Sequence, residues 1–494
     1  MTLSEYASAV DLAQDIKDKK VSPVEIMDET IDMIEKRNDS ITAFTYTMFD
    51  EAREKAAEAE KKAMAGEAEG AFFGVPTAAK DFQPSIPGWP GSFGGIKALS
   101  HLKDTRYSDY STAMLGAGAI FVGKTNSPSL AFRGTCDNLM WGPTSTPFKP
   151  GYNSGGSSGG SASAVGDGML LVAHATDAGG SIRIPAAWCG VYGFKPGIGT
   201  VGASSPRPDA FVLTHNYAWE GSCSRTVKDA AYVLQEMAVY NPFNPTSVDW
   251  GFKKDFISAL DRDMKGWKVA FTPDWGVFPV DSQVASIVEA SAKRFEEAGA
   301  TVDRFDFGVK RSAQELGETW CKIITLEAME GVEDFKSQGI DLFRDHADDL
   351  PDEFIYWVNQ AYKGTSMDFF HNQSIRTEVY DAMATVFQDY DIIVSPTTSC
   401  LPVKNDPNRN TLGPTEINGV PTEPLIGFCQ TFFANFSGNP AASIPAGLSA
   451  EGLPVGMQII GRRFHDEDVL TASAVFEQIQ PWMDTYKITA ERPL

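Results

Sequence analysis

Two glycine-flanked serines, Ser157 and Ser181, lie 24 residues apart in the stretch Asn153 to Pro185, with a lysine, Lys80, upstream in Gly74-Val75-Pro76-Thr77-Ala78-Ala79-Lys80-Asp81. A serine hydroxyl near neutral pH is a weak nucleophile and needs a partner that removes its proton as it attacks. No histidine is adjacent to either serine, and a buried lysine can supply the base instead. Ala178-Gly179-Gly180-Ser181 leaves the backbone bare beside a hydroxyl. Glycine there allows unusual backbone angles and close approach of a ligand to N–H groups. N–H groups converging on one point stabilise the oxyanion of acyl transfer. Ala178 to Ser181 therefore reads as a nucleophile with its oxyanion cradle. Asp177 and Arg183 flank it and are expected to hold the loop, and Ser158 is expected to support the site. The apolar run Met169 to Ala173 reads as a buried strand leading into the turn.

The segment Gly155-Gly156-Ser157-Ser158-Gly159-Gly160 has the composition of a flexible linker. An Ala-rich, helix-compatible stretch follows at once, then the apolar run, and linkers do not usually open onto core structure. The same residues fit the G-x-S-x-G elbow of α/β-hydrolases, but that serine should follow a hydrophobic strand directly. Here Phe148 to Asn153 is turn-like, and His215, His346, His371 and His465 sit in no recognisable acid–base setting. No Gly-Lys-[Ser/Thr] follows the glycines, so a phosphate loop is not indicated.

Taken together these motifs resemble the amidase signature family of hydrolases. The resemblance rests on Gly155 to Ser161, on Thr176 to Pro185, and on the Lys80 motif. It continues in Gly123 to Asn126, Cys189 to Pro196, Asp391 to Thr397, Phe436 to Pro440 and Gly452 to Gly456, and so covers most of the chain. It implies a catalytic triad: Ser181 as nucleophile, Ser157 as the bridging serine with a cis peptide bond before it, and Lys80 as base. For Lys80 to accept a proton, burial must depress its pKa from about 10.4 by several units. The implied activity is hydrolysis of a small-molecule amide through an acyl-enzyme, with no cofactor and no metal. Trp320 and Cys321 lie where the 6-aminohexanoate cyclic-dimer hydrolases of this family place a pocket cysteine, and Phe354 to Trp357 is also similar. The resemblance thus points to Cys136, Trp320 and Cys321 as substrate-binding residues and to a cyclic or linear nylon-type oligomer as one substrate. The alternative is the glutamine-amidase subunit of a tRNA-dependent amidotransferase. The stretch Ser129 to Phe132 departs from the usual form there.

Composition bounds the rest. The 494 residues carry 42 basic and 65 acidic side chains, a net charge of −23. That balance argues against nucleic acid and anionic membranes as partners and fits a self-repelling, soluble protein. A homodimer is compatible with it. Six scattered cysteines form no C-x-x-C pair, which excludes a disulfide scaffold and suits a reducing compartment. The N-terminus has no basic and apolar leader, and no apolar run approaches the roughly 20 residues that span a bilayer. A cytoplasmic enzyme is expected.

The positioning elements are expected to be α/β. Residues 1–66 read as three helices, with Ser22-Pro23-Val24-Glu25 as a capping box. Trp267 to Phe271, Gln283 to Glu297 and Ala300 to Val302 read as a βαβ-like unit. The resemblance implies a single large domain spanning 1–494, a mixed β-sheet covered by helices. Residues 67–202 and 391–494 would form the sheet core with the catalytic motifs. Residues 203–390 would be a mainly helical insert on the substrate side.

Overall fold

The expected helix start at Ser22 forms: Ser22 Oγ accepts from the N–H groups of Val24 and Glu25, and Pro23 opens the helix Pro23–Ile41. Its apolar face, Ile26, Ile31 and Ile34, is buried. Helices Ala9–Lys17 and Phe49–Ala65 flank it. The three-helix reading of this region missed a strand between the last two, β1 (Phe44–Thr47). The structure, a computed structural model, describes residues 3–83, 85–202 and 218–492. His215 lies outside them.

β1 joins β2 (Pro76–Lys80) and β3 (Ile120–Thr125) in a small sheet of order β1-β3-β2. The β1–β3 pair is antiparallel and the β2–β3 pair parallel, with Lys80 opposite Thr125. The large sheet uses β4 (Val172–Asp177), β5 (Tyr192–Lys195), β6 (Trp219–Ser224), β7 (Lys268–Phe271), β8 (Thr301–Arg304) and β9 (Ile392–Pro396). The two-residue strands β10 (Glu416–Ile417) and β11 (Val420–Pro421) pair only with each other. The long hairpin β12 (Ala441–Leu448) and β13 (Pro454–Gly461) completes the large sheet. Among the described residues that sheet has eight strands in the order β4-β6-β5-β12-β13-β9-β7-β8. Only β7–β8 and β7–β9 are parallel, so the sheet is mixed, within a single large domain.

Two expectations change. The strand leading into the Ser181 turn begins at Val172, not Met169, and runs on to Asp177. Met169, Leu170 and Leu171 are buried but lie ahead of it. The ladder decides this: β6 pairs with β4 from Val172–Ser224 to Asp177–Trp219, and so keeps the polar His174 and Thr176 of β4 inside the strand. The 203–390 segment is also less helical than expected, because β6, β7 and β8 of the large sheet come from it. Its longest helices are Ala313–Ser337 and Ser366–Val386, with Asp352–Lys363 between them, and Val227–Met237 and Ser282–Lys293 alternate with its strands. The βαβ-like unit forms as β7, the helix Ser282–Lys293 and β8.

The helices that cover the sheet are tied down by charge as well as by apolar contact. Asp167 ends the helix Gly159–Asp167 that follows the serine run. Its carboxylate accepts from Arg37 Nε at 2.6 Å and from Arg492 Nη2 at 2.8 Å, and Arg37 Nη2 also donates to Thr489 O at 2.6 Å. One buried carboxylate thus joins an N-terminal helix, the serine-bearing helix and the C-terminal turn. Removing one partner of a buried ion pair strands the other charge and costs about 3–5 kcal/mol. Asp167→Ala should lower the midpoint of urea unfolding by a corresponding amount. An unchanged midpoint would show that the clamp contributes nothing net.

Candidate active site

The Gly/Ser run is part of the core. Asn153 Oδ1 accepts from the N–H groups of Cys136 and Gly155, at 2.9 and 3.0 Å. Gly156 N–H donates to Gly134 O at 2.8 Å, and the Gly156–Ser157 peptide bond is cis. Only glycine fits at 156, because a Cβ there would lie 2.4 Å from Thr135 O. Ser158 ties this loop to the next. Its N–H donates to Ser181 O at 3.1 Å, and its Oγ accepts from Thr176 N–H at 3.1 Å.

Lys80, the last residue of β2, has no solvent exposure. Its Nζ donates to Ser157 Oγ and to Thr176 Oγ1, both at 2.7 Å. Burial is the main cause that pushes its pKa down to about 7, against a smaller upward pull from Asp177. A carboxylate in contact would keep the amine charged. Two hydroxyls let it lose its proton near neutrality.

Asp177, at the end of β4, organises the loop that carries Ser181. Its Oδ1 accepts from Gly180 N–H at 2.7 Å, Arg183 Nη2 at 2.9 Å and Asn435 Nδ2 at 2.9 Å. Its Oδ2 accepts from Ile182 N–H at 3.2 Å and Arg183 Nε at 2.9 Å. Burial alone would raise its pKa, but Arg183 and the other donors hold it down to about 2. Arg183, fully buried, also donates to Thr431 O at 2.7 Å and to Gln458 Oε1. The loop carbonyls are engaged too. Trp320 Nε1 donates to Ala178 O at 3.1 Å, Thr431 Oγ1 to Gly179 O at 2.5 Å, and Ile184 N–H to Gly180 O at 2.6 Å. Gly180 has φ +129, and a Cβ there would lie 2.0 Å from Thr431 Oγ1.

This pattern corrects the expected oxyanion set. Gly180 N–H is taken by Asp177 and is not available to a ligand. Among the described residues the N–H groups of Ala178, Gly179 and Ser181 have no protein partner. Ser181 itself keeps 8% of its surface exposed, whereas Ser157 and Ser158 are fully buried.

The three expected pocket residues separate. Trp320 packs on the loop through its Ala178 contact and faces Phe132, which in turn meets Phe354 edge-on at 4.9 Å. Cys321, on the same helix Ala313–Ser337, is fully buried, and burial, with Glu423 nearby, pushes its thiol pKa well up. Cys136 is a packing residue and not a cleft residue. Its Sγ donates to Thr144 Oγ1 at 3.4 Å and lies against Gly159. A cavity of about 1200 Å³ opens between the three helices of residues 313–386, lined among others by Glu318, Lys322, Trp357 and Glu423. Neither Ser181 nor Lys80 is among its lining residues.

The reading from sequence passed over His174 and Glu220. Glu220 lies opposite Thr176 on β6, and His174 accepts the backbone N–H of Lys80. A histidine within the run before Thr176-Asp177 was the available signal. Among the described residues no group of three His, Cys, Asp or Glu side chains could hold a metal, and no helix is long and apolar enough to cross a membrane.

The family model described as Amidase matches residues 25–470. An acylamidase of Rhodococcus erythropolis is 32% identical over 484 residues, which span 97% of this chain and 96% of that one. A glutamyl-tRNA(Gln) amidotransferase component from Thermosynechococcus vestitus is 29% identical over 486 residues, 94% of this chain and 96% of that one. Among solved structures, a bacterial aryl acylamidase of the amidase signature family superposes with a TM-score of 0.95 at 42% identity, covering 99% of both chains. A 6-aminohexanoate cyclic dimer hydrolase superposes with a TM-score of 0.84 at 25% identity, covering 98% of both. The chain belongs to the amidase signature family and is a hydrolase of carbon–nitrogen amide bonds.

Proposed function

We propose that this amidase cleaves small acyl amides of aryl and aliphatic amines by acyl transfer to Ser181. The observation that carries the reading is the 2.7 Å contact between Lys80 Nζ and Ser157 Oγ, with a buried lysine whose pKa is pushed down to about 7. Neutral Lys80 takes the hydroxyl proton of Ser157 as Ser157 takes that of Ser181. Ser181 Oγ bonds to the amide carbon, and the carbonyl electrons move onto oxygen. The N–H groups of Ala178, Gly179 and Ser181 are the available donors to that oxyanion. When the tetrahedral species collapses the C–N bond breaks, and the relay returns its proton to the departing amine. Water then attacks the acyl-enzyme, gives its proton to the relay, and releases the acid.

The likeness to the aryl acylamidase over 99% of both chains supports the substrate class. The aromatic wall of Trp320, Phe132 and Phe354 beside the loop supports it as well. Cyclic and linear 6-aminohexanoate oligomers are a second class, supported by the likeness to the cyclic dimer hydrolase. Six unpaired cysteines suit a reducing, cytoplasmic setting.

The test is a panel of amides given to the purified chain: an anilide, a linear aliphatic amide, the 6-aminohexanoate cyclic dimer, and glutamine. Anilide turnover is expected to dominate. Exclusive turnover of glutamine would instead favour a role within an amidotransferase complex. Ser181→Ala and Lys80→Ala should each lower kcat about 10,000-fold or more, and activity surviving Ser181→Ala would remove the nucleophile assignment.

The pH profile has a definite sign. Lys80 works unprotonated, so the competent fraction grows as pH rises through about 7. Below that, kcat/KM should fall about tenfold per pH unit, and above about pH 8 it should be flat with respect to this group. A rising limb centred near the ordinary lysine pKa would contradict a buried base. Trp320→Phe keeps the ring but removes the donor to Ala178 O. The stranded carbonyl costs about 1–2 kcal/mol, so anilide kcat should drop about 5- to 30-fold. An unaltered kcat would show that the indole does not hold the loop.

A further inference from the structure

β2 is an edge strand of its sheet, and alternate N–H groups of an edge strand point away from the ladder. Asp81 N–H donates to Thr125 O of β3 at 2.9 Å, so the N–H of Lys80 faces the other way, toward β4. His174 Nδ1 accepts it at 3.3 Å, a side chain taking the place of a missing ladder partner. Two residues on, and so on the same face of β4, Thr176 Oγ1 accepts from Lys80 Nζ. One strand thus grips the lysine at both ends, by its backbone and by its amine.

His174 is itself held from three sides. Its ring stacks on Tyr110 with centroids 4.7 Å apart and planes 17° apart. Tyr110 OH hydrogen-bonds Thr77 Oγ1 at 2.9 Å, and Thr77 Oγ1 lies 3.1 Å from Val172 O, so the stacking ring is tied to β2 and β4. Nε2 faces Glu220 Oε2 at 3.3 Å, close enough for charge attraction but poorly aligned for a hydrogen bond. Glu220 also accepts from Tyr110 N–H and Gln83 Nε2, each at 2.7 Å. An Nδ1 that accepts an N–H carries no proton, so the ring proton sits on Nε2, toward the carboxylate. The titratable groups around the imidazole are Glu220, Lys80, Tyr110 and, beside Glu220, Asp109, which burial and then Glu220 raise to about 7.

We infer that His174, oriented by Glu220, is a positioning residue that fixes the backbone of Lys80 and thereby the reach of its amine to Ser157. The inference rests on the reading of Lys80 as base. It assigns His174 no proton transfer. It requires only that Nδ1 stay bare, as the hydrogen bond from Lys80 N–H shows it.

The experiment compares His174→Leu, His174→Asn and His174→Gln with wild type and Lys80→Ala, on the anilide, with thermal midpoints measured alongside. Asparagine puts an amide oxygen on Cγ, where the imidazole holds Nδ1, and keeps the acceptor for Lys80. Glutamine keeps only a donor toward Glu220. Displacing a reacting group by an ångström costs about 100-fold. His174→Leu and His174→Gln should therefore lose about 10- to 100-fold in kcat with KM unchanged, and His174→Asn should return to within about threefold of wild type. Leucine or glutamine variants with wild-type kcat, or an asparagine variant no better than they are, would overturn the role. If the leucine variant does not fold, the asparagine–glutamine comparison still decides. ¹⁵N spectra of histidine-labelled wild type give an independent readout. A bare Nδ1 and a protonated Nε2 are expected under the assay conditions, and a proton on Nδ1 would overturn the assignment. The two readings fail separately. Turnover by Lys80→Ala removes the base, whereas an inactive Lys80→Ala beside a fully active His174→Leu removes only the positioning role.

Discussion

The site depends on one constraint: an amine must sit in the interior without a carboxylate against it. A buried ammonium is costly unless paired, and the group gives up its proton when no partner offsets the loss of water. Two buried lysines on neighbouring strands show the contrast. Lys124 on β3 meets Asp104 at 2.8 Å and forms an ion pair. Lys80 on β2 hydrogen-bonds the hydroxyls of Ser157 and Thr176 instead, with no carboxylate in contact among the described residues. Asp177, which pulls on Lys80 from a distance, is itself surrounded by Arg183, Asn435 and two backbone N–H groups. Its charge is therefore largely spent within its own network. Neutralising the neighbour keeps the lysine usable.

The second consequence is rigidity of the loop between Asp177 and Ser181. The carbonyls of Ala178, Gly179 and Gly180 each accept a hydrogen bond, and the N–H groups of Gly180 and Ile182 are tied to Asp177. What is left over is the N–H groups of Ala178, Gly179 and Ser181, without a protein partner among the described residues and on a loop the fold holds in place. Dipoles fixed by the fold need no reorganisation as charge develops, which is the source of their effect on acyl transfer.

The loops that carry Ser157 and Ser181 were legible in the sequence because they demand residue types at close backbone approach. A glycine whose Cβ would strike Thr135 O cannot drift to another residue without moving the loop, so the pattern around Ser157 and Ser181 survives as a pattern. The scaffold was less legible. β6, with the sequence Trp-Glu-Gly-Ser-Cys-Ser, alternates but has only Trp219 as a large apolar residue, and is a strand because β4 and β5 pair with it on either side. The other misses have two causes. Gly180 N–H is consumed by a local turn from the Asp177 side chain three residues back. Cys136 packs behind Gly159 and His174 meets a backbone 94 residues away, pairings that no periodicity or local motif encodes.

The contact of Trp320 with Ala178 joins two functions that the fold otherwise keeps apart. On the proposed mechanism the sheet and its two loops carry the reacting groups, while the helices of residues 313–386 border a separate cavity. A pocket wall that only bound substrate would change KM without touching turnover. Here the indole that faces Phe132 also holds the carbonyl of Ala178, at the start of the Ser181 loop. On the proposed mechanism, a substrate that displaces the ring disturbs the donors assigned to its oxyanion. Poor fit is therefore penalised in the transition state as well as in binding, and selectivity of this kind appears in kcat/KM and exceeds what apolar contact with the ring supplies alone.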